Sequence, residues 1–193
     1  YKRQALDVIE RMNLESKLLL RLIRIDIDIP WNQPEANNIG IQSAVTEYIF
    51  RTDIDHSFDE ENIIKTFNFI ETGLEPSTVY FFERKVLING TLHESNPHVN
   101  SYIIRKTDYE KINGYNEYFS GNYGDDIEFR PRLSEAFDLV QIPDIFLVTD
   151  ARGSTNNMKR DITINLQKLE EENLPHYTFT HEDHYIFQKT LST

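Results

Sequence analysis

Tyr48-Ile49-Phe50-Arg51-Thr52-Asp53-Ile54-Asp55 is the stretch on which the reading of this chain turns. Tyr48, Ile49 and Phe50 are strong strand formers, so the pattern predicts a strand over 47–52. That strand delivers Asp53 and Asp55 to its end. Carboxylates at i and i+2 on a strand share one face, and at a strand end the second can turn towards a ligand. A hard divalent cation carrying pyrophosphate oxygens takes such oxygen ligands. A solvated turn is the other reading of the same two residues.

Downstream, Ile112-Asn113-Gly114-Tyr115-Asn116-Glu117 reads as a turn, and Tyr123-Gly124-Asp125-Asp126-Ile127-Glu128 as the start of a helix. Carboxylates at a helix start sit in positive potential. They are also common as N-caps. Tyr118, Phe119 and Tyr123 flank the pair. Aromatic rings suit the apolar faces of sugars and equally suit a core.

Around these segments the periodicity predicts a helix over 3–12 and an alternating strand over 18–29. A loop marked by Pro30 and Pro34 follows and carries Trp31, the single tryptophan. A short helix over 38–45 precedes the decisive strand. Ser57-Phe58-Asp59-Glu60 is a capping-box pattern for a helix to about Ile70, closed near Gly73. Strands are expected over 79–82 and 86–92, with Asn89-Gly90 as a hairpin turn, and over 101–104. Thr107-Asp108-Tyr109-Glu110 is a second capping box, for a helix ending at Gly114. A helix over 125–139 is expected to kink at Pro131. A strand over 145–148 and an amphipathic helix over 162–172 complete the pattern. Helices alternating with strands, then a hairpin, predict an α/β fold with a mixed central sheet flanked by helices.

The totals narrow the function. The 193 residues suit one domain, and a 39% hydrophobic content can bury a core. There is no cysteine, which excludes disulfides, thiolate catalysis and cysteine-bound zinc, and a cytoplasmic setting is expected. No stretch approaches the roughly 20 apolar residues of a membrane span, and no signal peptide is seen. The formal charge is −12, so nucleic acid is not the expected partner. An acidic protein can bind an anionic nucleotide if a cation lies between carboxylate and phosphate.

With these residues in view, the chain resembles the GT-A glycosyltransferases, specifically family 2 and the β-1,4-galactosyltransferases. The resemblance is carried by Asn38-Ile39-Gly40-Ile41-Gln42-Ser43-Ala44-Val45 with Tyr48 to Asp55, and by Lys111 to Phe119 with Gly124-Asp125-Asp126-Ile127-Glu128. It covers about residues 1 to 160, and is similar in kind to virus-encoded, capsid-glycosylating members, which implies the host cytoplasm. It implies a GT-A nucleotide-diphospho-sugar transferase fold and one glycosyltransferase domain over 1–193, with a nucleotide-binding half over 1–55 and an acceptor and catalytic half over 56–193. Because the chain opens directly on a helix, the first strand of that fold is expected before Tyr1.

The same resemblance implies residue roles. Asp55 is the metal ligand, and Asp53 contacts the donor ribose or the metal and its waters. Asn38 joins the donor-binding set. Asp126 is the general base and Asp125 the neighbouring carboxylate that binds acceptor hydroxyls. The family usually places a histidine as a third metal ligand on the strand after the base helix. Here Asp150 stands in that place, with His176, His181 and His184 as rivals. Asp26 or Asp28 at the end of the second strand would accept from the uracil N3–H, and Arg3 would touch the nucleotide. The implied reaction moves a hexose of glucose, galactose or rhamnose type from a UDP-sugar to a hydroxyl of an oligosaccharide or glycoprotein glycan, with Mn²⁺ or Mg²⁺ and inversion. A nucleotidyltransferase or sugar-nucleotide pyrophosphorylase, or a non-catalytic carbohydrate-binding module, are the alternatives. The former would want a Gly-rich basic loop near the start, and none is seen. His93, Glu94 and His98 lie in a Pro-containing region between strands, with no role assigned.

Overall fold

The computed structural model describes residues 7, 9, 11, 12, 20–26, 29, 31–98, 100–121, 124–151 and 186–191. Its elements run β1 (Leu20–Ile25), α1 (Gln33–Ser43), β2 (Tyr48–Arg51), β3 (His56–Ser57), α2 (Glu60–Glu71), β4 (Thr78–Ile88), β5 (Thr91–Ser95), β6 (Tyr102–Arg105), α3 (Lys106–Lys111), a 3₁₀ turn (Glu117–Phe119), α4 (Asp125–Ala136), β7 (Asp138–Asp150) and β8 (Ile186–Leu191). The chain divides into two compact units, Tyr1–Ile29 with Phe179–Thr193, and Pro30–Thr178. In the first, β1 pairs antiparallel with β8, Leu20 facing Leu191 and Ile25 facing Ile186.

The second unit is mixed α/β. Its sheet runs β2-β6-β4-β7-β3, with β5 paired to β4. Only β4 and β7 pair in parallel; β2 with β6, β6 with β4, β7 with β3 and β4 with β5 are antiparallel. Strand alternation sorts the core into two layers. Val79 of β4 and Tyr102 and Ile104 of β6 pack with Ile41 of α1, Tyr109 of α3 and Phe129 and Leu133 of α4. Tyr80 and Phe82 of β4 and Ile103 of β6 face the other way, with Ile142 and Leu147 of β7, against Phe58, Phe69 and Leu74. Helices therefore cover both faces, which explains the near-continuous apolar runs of β4 and β6.

Several boundaries differ from the sequence-based expectation. Helix α1 begins at Gln33, because Pro34 falls in its first turn, where the missing N–H costs nothing. Asp59 caps α2 by accepting from the Asn62 amide at 2.8 Å, while Ser57 belongs to β3, so the capping box does not form. The box at Thr107 is likewise absent, since β6 runs straight into α3 at Lys106. In place of the strands expected over 79–82 and 86–92 there is one strand of eleven residues, β4, and beyond Gly90 its hairpin partner β5. Asn89 and Gly90 do make the hairpin turn, with consecutive positive φ of 48° and 80°. Helix α4 keeps Pro131 inside it and stops at Ala136. Residues 138 onward join β7 instead, since Asp138 and Leu139 find parallel partners in Thr78 and Val79, a tertiary pairing that local pattern does not show. The expected helix over 162–172 lies outside the described residues, as does most of the one over 3–12. No described helix is long and apolar enough to cross a membrane.

Candidate functional site

The end of β2 carries the first part of the site. Arg51 and Asp53 sit two apart on an extended chain and share a face. Arg51 is 7% exposed, and its Nη1 lies 2.7 Å from Asp53 Oδ1. That guanidinium also donates to the Asn100 carbonyl, and through Nε to Asn37 Oδ1 at 3.3 Å. Gln33 adds a long donation to the same Asp53 Oδ1, at 3.4 Å. The turn after the strand is closed by the His56 amide, which donates to the Asp53 carbonyl at 3.2 Å. This turn brings His56 beside the two acids.

Two histidines face Asp53. His98 Nδ1 lies 3.3 Å from Asp53 Oδ2, the oxygen that Arg51 does not take. The His56 and His98 rings are 4.7 Å apart and tilted by 52°. The His56 side chain is 2% exposed, and its Nδ1 is 3.7 Å from Asp55 Oδ1, too long for a hydrogen bond. Neither ring nitrogen of His56 has a hydrogen-bond partner among the described residues. Burial lowers both imidazoles; Asp55 and Asp53 pull His56 back up and Asp53 does so for His98, while Arg84 and Arg51 push both down. Both are therefore neutral at pH 7 and present a lone pair each. Asp53, His56 and His98 offer one ligand atom apiece, all within 4.8 Å of one another.

The second part of the site sits at the start of α4. Gly124 precedes the helix at φ 119°, and Asp125 and Asp126 are its first residues. Asp125 is 2% exposed. Burial, then the Asp126 charge, push its carboxyl up to about 6, against a hydrogen bond from the Trp31 indole and the charge of Arg51. Asp126 is half-buried, and its Oδ1, like Asp125 Oδ2, has no hydrogen-bond partner among the described residues. Arg51 pairs with Asp53, whereas at Asp125 its charge is a smaller influence than burial, Asp126 and Trp31.

A buried polar network holds the two parts in place. Asn38 of α1 donates to the Tyr115 carbonyl at 2.9 Å and to Glu117 Oε1 at 2.7 Å. Its Oδ1 accepts from Tyr109 Oη at 2.5 Å and from the Tyr115 amide at 2.9 Å. All four hydrogen-bonding positions of the amide are used, leaving none for a nucleotide. Arg132 of α4 donates to the carbonyls of Ile112 and Gly114, at 2.6 and 2.9 Å, while Glu128 holds it at 2.6 and 2.7 Å. Tyr115 stacks on Phe129 with ring centroids 4.0 Å apart. The Ile112–Glu117 turn is thereby bolted to the helix that carries Asp125 and Asp126, and Tyr115 Oη continues to Asn100 Oδ1 at 3.1 Å, beside Arg51.

The remaining sequence-based candidates scatter. Asp150 ends β7 and is exposed; the metal-capable group among the described residues contains neither it nor Asp55. Asp26 belongs to the first unit, where Arg24 Nε lies 2.5 Å from it. Arg3, Asp28, Tyr123, His176, His181 and His184 lie outside the described residues. Phe119 is fully buried and is core. Glu94 pairs with Lys85 at 3.1 Å on the hairpin. Trp31 is 40% exposed and adopts φ 55°, turning its indole to Asp125.

Sequence reasoning gave no role to Arg51, His56 or Asn100. Arg51 was visible in principle, since strand alternation places it with Asp53. His56 directly follows Asp55 and invited attention on position alone. The approach of His98 depends on the β5–β6 connection and left no local signal. In comparison with known proteins, the chain matches no family model and no curated protein.

Proposed function

We propose that this chain is a metal-dependent, inverting glycosyltransferase of the GT-A type. It transfers a hexose from a UDP-sugar to a hydroxyl of an oligosaccharide or glycoprotein glycan. The observation that carries the reading is the acidic end of β2: one buried guanidinium pairs with the first aspartate of the Asp53-Ile54-Asp55 motif, and a second acidic pair, Asp125 and Asp126, opens α4.

In this reading Asp126 is the base. It is half-buried, and its enclosed Oδ1 has no hydrogen-bond partner among the described residues. Its carboxylate takes the proton from the acceptor hydroxyl as that oxygen bonds to the anomeric carbon; the bond from that carbon to the diphosphate oxygen breaks, and UDP leaves with the electron pair. Asp125 is enclosed, and with Trp31 it walls the acceptor side. Asp53 and Asp55 are the residues that would hold a divalent cation such as Mn²⁺ or Mg²⁺. When bound, that ion neutralises charge on the departing diphosphate. The Asp53 Oδ2 that Arg51 does not take fits such a group.

The test is UDP formation from UDP-glucose, UDP-galactose and a UDP-rhamnose donor, for wild type and Asp126→Asn. Metal-dependent turnover that falls by roughly 10²–10⁴-fold in the variant, with donor binding retained, supports the reading. Turnover unaffected by Asp126→Asn overturns the base assignment. UDP-sugar formed from UTP and sugar phosphate instead favours the pyrophosphorylase class.

A further inference from the structure

Among the described residues, one cluster holds a buried imidazole that makes no side-chain hydrogen bond. His56 is 2% exposed and both of its ring nitrogens lack a hydrogen-bond partner among the described residues. A buried imidazole is ordinarily paired, because leaving its donor or acceptor without a partner is costly. Here it faces a second imidazole and a carboxylate oxygen.

We propose that Asp53, His56 and His98 form a resident two-histidine, one-carboxylate site for a borderline divalent metal ion of the Zn²⁺, Co²⁺ or Mn²⁺ class. The geometry of Asp53 and His98 is specific. His98 Nδ1 accepts weakly from the Asn100 amide at 3.3 Å, and lies 3.3 Å from Asp53 Oδ2. Nδ1 has a single lone pair, so with that amide as donor it carries no proton towards Asp53, and two acceptor atoms face each other at 3.3 Å; a cation that draws the lone pair from the amide would bridge them. In a tetrahedral site with bonds of about 2.0–2.1 Å, neighbouring ligand atoms lie about 3.4 Å apart. The observed 3.3 Å is already that edge, and His56, within the same 4.8 Å group, supplies the third corner after a small ring rotation.

The donor set also selects the ion. Two neutral imidazoles and one carboxylate suit Zn²⁺, Co²⁺ or Mn²⁺, whereas Mg²⁺ and Ca²⁺ prefer all-oxygen ligands. The charges nearby are balanced: Arg51 and Arg84 oppose a cation, and Asp53 and Asp55 favour one. Arg51 is bound to the other oxygen of Asp53 and to the Asn100 carbonyl, so it orients the ligand oxygen rather than replacing the ion. Asp55, 3.7 Å from His56 Nδ1, is placed to steady the ring from outside the ligand set. This site does not require the transferase reading, which leaves both histidines without a task. If both hold, the ion at Asp53 is borderline rather than hard.

The experiment uses the full chain, stripped with chelator and titrated with Co²⁺, Zn²⁺ and Mg²⁺. In the absence of cysteine, a visible Co²⁺ absorption band reports nitrogen and oxygen ligation alone. The expected result is a one-to-one Co²⁺ band displaced by Zn²⁺ and untouched by equimolar Mg²⁺. His56→Gln and His98→Gln each weaken Co²⁺ binding at least tenfold, while His93→Gln leaves it unchanged. Asp55→Asn retains the band even where it abolishes nucleotide binding, which separates failure of this site from failure of the transferase reading. Should a histidine variant not fold, the wild-type Co²⁺ protein supplies the answer by proton NMR, with two strongly hyperfine-shifted imidazole N–H signals. Absence of a Co²⁺ band, a band that survives both histidine changes, or fewer than two such signals overturns the proposal.

Discussion

Arg51 Nη1 lies 2.7 Å from Asp53 Oδ1, and this buried guanidinium fixes the carboxylate at the end of β2. The same guanidinium bonds to Asn100 and Asn37, so three separate stretches converge on it. Arg51→Gln is expected to destabilise the protein by about 2–4 kcal/mol, because the Asn100 carbonyl and Asp53 lose a buried charged partner. Arg51→Lys recovers only part of this, since an ammonium cannot span all three acceptors. Chemical denaturation of the two variants checks the ordering; equal loss for Lys and Gln contradicts it.

Gly114 has φ 61°, and a Cβ built there meets Asn38 Oδ1 at 2.5 Å and the Tyr109 ring at 2.6 Å. Both obstacles belong to the buried network and neither can yield cheaply. Gly114→Ala is expected to cost about 2–4 kcal/mol, part from the left-handed backbone and part from overpacking. Gly90→Ala, which also has positive φ but meets nothing within 4 Å, should cost less. Thermal melts of the pair distinguish collision from backbone strain.

How much of this was legible in the sequence depends on how local each signal is. The β2 strand, its two terminal acids, the Asn89-Gly90 hairpin and the Asp125 helix start all announce themselves within a few residues, and the described fold carries each of them. The capping box at Ser57 failed because β3 claimed the residue that would have capped, and the one at Thr107 because that threonine lies inside α3, whose N-cap is Arg105. The long β7 was hidden because residues 138–141 are held by parallel pairing with β4, not by their own pattern. Asn38 illustrates the same limit at the site. Its position before the acidic motif suggested a ligand contact, whereas its partners, Tyr109, Tyr115 and Glu117, come from the distant turn and use its amide fully.

Asp125 makes stability depend on pH in a definite direction. Its carboxyl is raised to about 6 in the folded protein, while an unfolded aspartate titrates near 3.9. The folded state therefore holds a proton that the unfolded state has already released between those values. Stability from this group is full below about pH 4 and declines as pH rises to about 6, levelling above. Trp31, Asp126 and Arg51 are the groups that set the shift along with burial. Asp125→Asn should flatten this decline and, relative to its effect at pH 4, raise stability at pH 7 by up to roughly 3 kcal/mol. Urea unfolding of both proteins at pH 4, 5.5 and 7 reads the difference directly. A difference independent of pH contradicts the assignment.

The most direct measurement of the central claim, a metal-bridged nucleotide site at the end of β2, is thermal unfolding with UDP, with Mn²⁺, and with both, for wild type and Asp55→Asn. A ligand at a hundred times its dissociation constant stabilises by about 2.7 kcal/mol, a shift that is readily seen. The account predicts that UDP stabilises the wild type only when metal is present, and that Asp55→Asn loses this response while still folding. UDP without effect under any metal condition, or an undiminished response in Asp55→Asn, would contradict it.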